Sequence, residues 1–235
     1  MSKQTRKKQF RALRQTEIIE AAVKLFGTRG IENTTMDDIA RQAEFTKQTL
    51  YSYFASKEDL YVAVFLLSIQ ERWQFQRSAM DACPNGLEKL RTFGRTYYSF
   101  FSGHSMYLNL MLYLDYLGID IKHTDHAIFA KYKACNDEMV DYLRSAFRQA
   151  IAEGSVREDI DVGMTISHWG YSLRAILHRA LQKSYSFSKI DPEKYYHSFL
   201  DTLLLSITTG ATAKGKNLPS TGFRNNDRRK THHTK

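Results

Sequence analysis

Residues 34–60 read TTMDDIARQAEFTKQTLYSYFASKEDL, and three helix-start signals fall inside this stretch. Thr35 suits the N-cap of a short helix, with Asp37 and Asp38 in a first turn whose dipole favours negative charge. Ile39, Ala40 and Ala43 are its predicted buried side. Thr46 is a second N-cap, and Leu50 and Phe54 lie one turn apart on another short helix. Ser56 opens a further helix, with Glu58 and Asp59 in its first turn and Leu60, Val64 and Leu67 as its apolar stripe. Upstream, Ile18, Ile19, Ala22, Leu25 and Phe26 recur at three- and four-residue spacing. Gly27 and Gly30 supply a helix stop there, and Ile31 is placed to seal it.

Three short helices in about forty residues, the last two joined by a tight turn, describe a helix-turn-helix. A helix that enters the major groove must bury one side and present its N-terminal end. Leu50 and Phe54 are the buried side, Gln48, Thr49 and Ser52 point away from it, and Lys47 and Tyr51 flank. Lys47 suits guanine O6/N7, Gln48 suits adenine, and Thr49 suits a base edge or a thymine methyl. Tyr51, Tyr53, Lys57 and the helix start capped by Thr35 suit phosphates.

This order of residues resembles the TetR family of transcription regulators. The matching run begins with Ile18-Ile19, Ala21-Ala22, Leu25-Phe26 and Gly30, then Thr34-Thr35-Met36-Asp37-Asp38-Ile39-Ala40. It continues through Ala43, Thr46-Lys47-Gln48-Thr49-Leu50-Tyr51, Tyr53-Phe54 and Ser56-Lys57-Glu58-Asp59-Leu60, covering residues 16 to about 64. The resemblance implies backbone contacts for Thr35, Tyr51 and Lys57, and places Lys47, Gln48, Thr49 and Tyr53 toward bases. For Tyr53 either kind of contact stays open. The chain departs from the family pattern at Glu44-Phe45, where a Gly and a small aliphatic residue are usual. Tight helix-to-helix turns often need one residue at positive φ, so Glu44 is expected either to carry strain or to accept a hydrogen bond from a cytosine amino group and help choose the site.

The net charge of +9 is concentrated at the ends. Residues 1–16 carry Lys3, Arg6, Lys7, Lys8, Arg11 and Arg14 with no acid, and residues 214–235 carry seven Lys/Arg against Asp227 alone. The body, 17–213, is therefore slightly acidic, and even the motif itself has more acids than cations. Nonspecific DNA affinity comes mostly from phosphate neutralisation, so the flexible basic arm 1–16 is expected to supply what the motif lacks.

The rest of the chain reads as helix after helix, with scarce Gly (12) and Pro (3). A break is predicted at Cys83-Pro84-Asn85-Gly86. Leu90, Phe93, Tyr97, Phe100 and Phe101 make one stripe, and Leu108–Leu117 reads as buried all round. Further helices carry Ile128 to Phe147, Ile166 to Leu181, and Pro192 to Ile207. The expected fold is all-α: a basic N-terminal arm (1–16), a three-helix helix-turn-helix DNA-binding domain (17–62), a larger helical domain (63–213) and a basic disordered tail (214–235).

The family resemblance implies that the larger domain encloses a small-molecule pocket and pairs two subunits. Candidate lining is aromatic: Trp73, Tyr97, Phe101, Tyr113, Tyr116 and Tyr132. His168, Trp169 and Arg174 form the cluster best suited to polar anchoring, since buried imidazole or charge needs a reason. Leu200, Leu203, Leu204 and Ile207 make the last helix apolar on two sides, which predicts a homodimer face. His123 and His126 beside Asp120 and Asp125 have the spacing of metal ligands but sit at a loop-to-helix junction, where capping Asp is ordinary; no metal and no cofactor are expected. No glycine-rich phosphate loop, Gly-x-Ser-x-Gly elbow or His-Glu-x-x-His occurs, so a regulator is expected rather than a helical enzyme. A nonspecific architectural DNA-binding protein is the other alternative. The chain has no run of about 20 apolar residues and no apolar leader, and a cytoplasmic location is expected. The resemblance favours repression of a palindromic operator, relieved by a ligand.

Overall fold

The computed structural model describes residues 2–117, 126–181 and 191–210, except for the side chains of 115–117 and 126. The side chain of Tyr116, the His123/His126 group and the tail 214–235 lie outside the described residues. Among those described there are nine helices and no strand: α1 (Lys3–Arg29), α2 (Met36–Gln42), α3 (Lys47–Tyr53), α4 (Lys57–Asp81), α5 (Gly86–Gly103), α6 (Ser105–Leu117), α7 (His126–Ala152), α8 (Val162–Leu181) and α9 (Pro192–Ile207). None is long and apolar enough to cross a membrane.

The N-terminal unit is built as the capping signals dictate. Thr35, Thr46 and Ser56 each accept a hydrogen bond from the backbone N–H three residues on. Ile18, Ala22, Ile39, Leu50 and Phe54 close the core between α1, α2 and α3. Two expectations are corrected here. Gly27 does not stop α1, which runs on to Arg29 and ends at Gly30 with φ 83°. Nor is the basic segment a flexible arm: from Lys3 onward it is part of α1, and Ser2 caps it. The reason is local, since Lys, Gln, Arg, Ala and Leu are good helix formers and no breaker interrupts them.

Helix α4 joins the two units. Its 25 residues span about 37 Å, long enough to start in the N-terminal core at Leu60 and finish beside α5 and α7 at Met80. The larger unit packs α5 between α4, α7 and α9, and α8 against α7 and α9. Gly86 starts α5 hard against α7: a Cβ there would lie 2.6 Å from the Ala146 carbonyl oxygen and nearer still to Ala150 N. Helix α6 is less enclosed than its composition predicts. Tyr107, Leu108, Leu110, Met111 and Leu114 are buried, but Asn109 is exposed and Leu112 and Tyr113 are only half-buried. Its polar Asn109 marks the open side.

Candidate functional site

The turn between α2 and α3 decides how α3 is presented. Glu44 N–H donates to the Arg41 carbonyl (3.2 Å) and Phe45 N–H to the Ala40 carbonyl (2.8 Å). These two bonds are the Schellman pattern that closes a helix C-terminus, and it needs a left-handed residue between cap and exit. Glu44 is that residue, with φ 60°, the one non-glycine positive φ among the described residues. The positive φ expected from the sequence is thus present. At the end of α7 the same pattern is made by Gly154 at φ 72°, where no Cβ resists it.

Leu50 is fully buried under α3, leaving Lys47, Gln48, Tyr51 and Ser52 exposed along one surface. Thr49 is half-buried, its hydroxyl 2.8 Å from that of Thr46. Lys47 Nζ sits 2.9 Å from Asp37 Oδ1 on α2. Hydrogen bonding to Asp37, reinforced by its charge, pushes the Lys47 ammonium above its ordinary pKa. At the start of α2, the Thr35 hydroxyl and backbone N–H both donate to Asp38, which also meets Arg41 (2.6 Å) and Arg29 (3.7 Å). The Thr35 bonds chiefly hold the Asp38 carboxyl below its usual range. Lys57 Nζ lies over the Tyr61 ring at 5.3 Å.

The basic part of α1 reaches this surface. Arg11 Nη2 donates to the Ser52 carbonyl (3.2 Å), and its guanidinium covers the Tyr53 ring at 5.0 Å. Arg14 lies over the ring of Phe45, in the turn, at 4.7 Å. Phe45 is the unusual aromatic after Glu44, and Arg14 is what it packs on from outside. Sequence reading assigned these cations to phosphates only; their braces to α3 are tertiary contacts over more than thirty residues and leave no local signal.

In the larger unit the predicted pocket residues separate into three places. Tyr97 contacts Phe101 edge-on at 5.0 Å, while Trp73 meets Tyr142 of α7 at 5.4 Å and Tyr132 stacks on Phe65 at 6.4 Å. Tyr113 meets Tyr61 at 5.7 Å, and Tyr61 meets Phe26 at 5.3 Å, so it belongs to the seam between the units. Trp169 is buried against Phe147 at 5.7 Å. The His168–Trp169–Arg174 cluster does not form. His168 is exposed, and Arg174 is half-exposed over the Tyr171 ring at 5.3 Å. Neighbours in sequence point about 100° apart on a helix, so at the edge of a buried stripe one residue is buried while the next is exposed.

What sequence reading missed is Arg72. It is 7% exposed, its guanidinium 5.2 Å from the Tyr97 ring centroid and 3.7 Å from Met139 Sδ. It donates to Gln76 Oε1, and Gln76 in turn donates to the Phe93 carbonyl (2.9 Å). Burial pulls the Arg72 pKa down, opposed by Tyr97, Cys135, Tyr132 and Tyr196. The available signal was spacing: Ile69, Arg72, Trp73, Gln76 and Met80 fall on one buried stripe of α4.

These features define a two-part, all-helical protein with a helix-turn-helix at its N-terminus. Residues 18–64 match the family model of the bacterial regulatory proteins, tetR family. It is 28% identical over 134 residues to the HTH-type transcriptional activator FasR of Mycolicibacterium smegmatis, spanning 55% of this chain and 58% of the relative. It is 29% identical over 156 residues to the HTH-type transcriptional repressor KstR2 of the same species, spanning 65% and 72%. In structure it resembles AibR, solved in complex with isovaleryl coenzyme A and operator DNA, with TM-score 0.58 and 22% identity over 81% of this chain and 98% of that one. That likeness concerns the fold.

Proposed function

We propose that the chain is a sequence-specific DNA-binding transcription regulator. It acts as a homodimer on a palindromic operator, and a small molecule held in the larger domain releases it. The observation that carries this reading is the exposed row Lys47, Gln48, Tyr51 and Ser52, held on a helix whose other side is anchored by buried Leu50. Lys47, Gln48 and Thr49 read bases; Thr35, Tyr51 and Lys57 meet phosphates; Tyr53, covered by Arg11, shapes the surface from behind. Palindromic sites need a two-fold dimer with reading helices about 34 Å apart. Exposed apolar residues on the packed pair α8 and α9 suit that role: Met164 (57%), Tyr171 (69%) and Leu205 (62%). The ligand-holding side chains are Trp73, Tyr97, Phe101 and Tyr132, and the Tyr113–Tyr61–Phe26 contact joins their domain to α1. A regulator rather than an enzyme, a cytoplasmic location and repression as the default state complete the reading.

Selection of bound sequences from random DNA tests it. A recovered palindrome, bound at least about a thousandfold more tightly than random DNA at fixed salt, is the expected result. Binding without preference would make this an architectural protein.

A further inference from the structure

A buried guanidinium normally faces a carboxylate, because taking it out of water is costly unless the charge is matched. Arg72 has none among the described residues. Its partners are an amide oxygen, a thioether and an aromatic face. Met139 sulfur is a weak acceptor, and it touches both terminal nitrogens at 3.7 Å, where a carboxylate would make two short parallel bonds. The adjacent residue repeats the pattern: Trp73 is 3% exposed and its indole N–H is buried without an acceptor. Both side chains face α7, Arg72 at Met139 and Trp73 at Tyr142. Two buried donors that lack good acceptors, inside an aromatic and sulfur-lined wall, describe a receptor for an acceptor.

We propose that Arg72 and Trp73 anchor the carboxylate of a small molecule whose apolar body lies among Tyr97, Tyr132, Cys135 and Met139. This rests on the reading of the larger domain as the effector-binding unit. One negative charge fits better than the dianion of a phosphate ester, since Arg72 is the one buried cation among the described residues. Methionine is flexible at three bonds, so Met139 can leave the guanidinium as the carboxylate arrives. Gln76, bonded to both Arg72 and the Phe93 carbonyl, holds the guanidinium in place during the exchange. An uncharged acceptor would take hydrogen bonds from these donors but leave the guanidinium charge unmatched, so it is expected to bind more weakly.

The test compares decanoate and phenylbutyrate with their methyl esters, using calorimetry on the full chain and Trp73 fluorescence in Trp169→Phe. At least one acid is expected to bind and to shift Trp73 emission, with its ester failing at equal concentration. Arg72→Met, similar in length and apolar, is expected to bind that acid about tenfold or more weakly while melting normally. If Arg72→Met does not fold, Trp73→Phe and Arg72→Lys take its place, and a several-fold loss in either supports the site. No binding by either acid, equal binding by the esters, or unchanged affinity in the variants overturns it. Operator release is read separately. Release by an ester and not its acid overturns the carboxylate site but leaves the effector reading standing. Acid binding that depends on Arg72 without any change in operator affinity does the reverse.

Discussion

Lys47 and Arg72 are both cations on helices, and their surroundings are opposite. Lys47 is exposed, at the start of α3, and paired with Asp37 at 2.9 Å. Arg72 is buried in the larger unit and has no carboxylate among the described residues. In water the Lys47–Asp37 pair is held weakly and exchanges readily for a phosphate or a guanine. In the interior an unmatched charge is expensive, so it persists only where something else uses it. Pairing thus means availability at the surface, and lack of pairing means demand in the core. The same contrast separates the two domains: one is a charged surface braced from behind, the other a largely apolar interior into which Arg72 and Gln76 are inserted.

The interior should break most sharply. Gly86→Ala pushes a methyl group into the α7 backbone and is expected to cost about 3 kcal/mol, read as a lower melting temperature. A normal melting curve would show that α5 and α7 can separate freely. The surface should break in affinity instead of stability. Lys47→Ala and Gln48→Ala are each expected to lose about 1–3 kcal/mol on the selected operator and to relax preference at one position per half-site. Tyr51→Ala should weaken all sequences alike, and wild-type affinity in both of the first two variants would overturn the docking.

The two Schellman turns sharpen the comparison at the level of single residues. Glu44→Gly is expected to gain about 1 kcal/mol in denaturant unfolding, and Gly154→Ala to lose about as much, because only glycine adopts positive φ without steric cost. Glu44→Gln keeps the backbone cost and removes the charge. A gain in operator affinity with both variants would therefore point to charge repulsion, and a gain with Gly alone to turn strain. Deleting residues 2–14 should lower the salt slope by about 0.9 for each phosphate charge no longer met. It should also blur sequence preference, since Arg11 and Arg14 brace Ser52, Tyr53 and Phe45. An unchanged preference would mean that α3 holds its position alone. The smallest effect belongs to Asp37→Asn, which frees Lys47. It should tighten DNA binding at low salt, and the gain should vanish at high salt, where exposed charges are screened.

Much of the N-terminal unit was legible because its determinants are local. A cap residue and the N–H it satisfies are three positions apart, as with Thr35, Thr46 and Ser56. Leu50 and Phe54 announce a buried side at one-turn spacing. Even the strain at Glu44 follows from a tight turn that lacks glycine. The interior was less legible. Aromatic spacing marked Tyr97, Phe101 and Trp169 as buried, but it could not say that Trp169 packs on Phe147 while Tyr97 faces Arg72.

What the sequence determined by itself, then, was the all-helical architecture, the order of the helices within a residue or two at most starts, and which side of α3 is buried and which is exposed. Those depend on interactions within one or two helical turns, where spacing along the chain is spacing in space. Only the tertiary structure decided that the basic N-terminal segment braces the recognition helix, that Lys47 rests on Asp37, that His168 points outward, and that Arg72 lies buried without a counter-ion. Each of these depends on which helix faces which, and a charge has no local signature of the partner it meets, or fails to meet, across the fold.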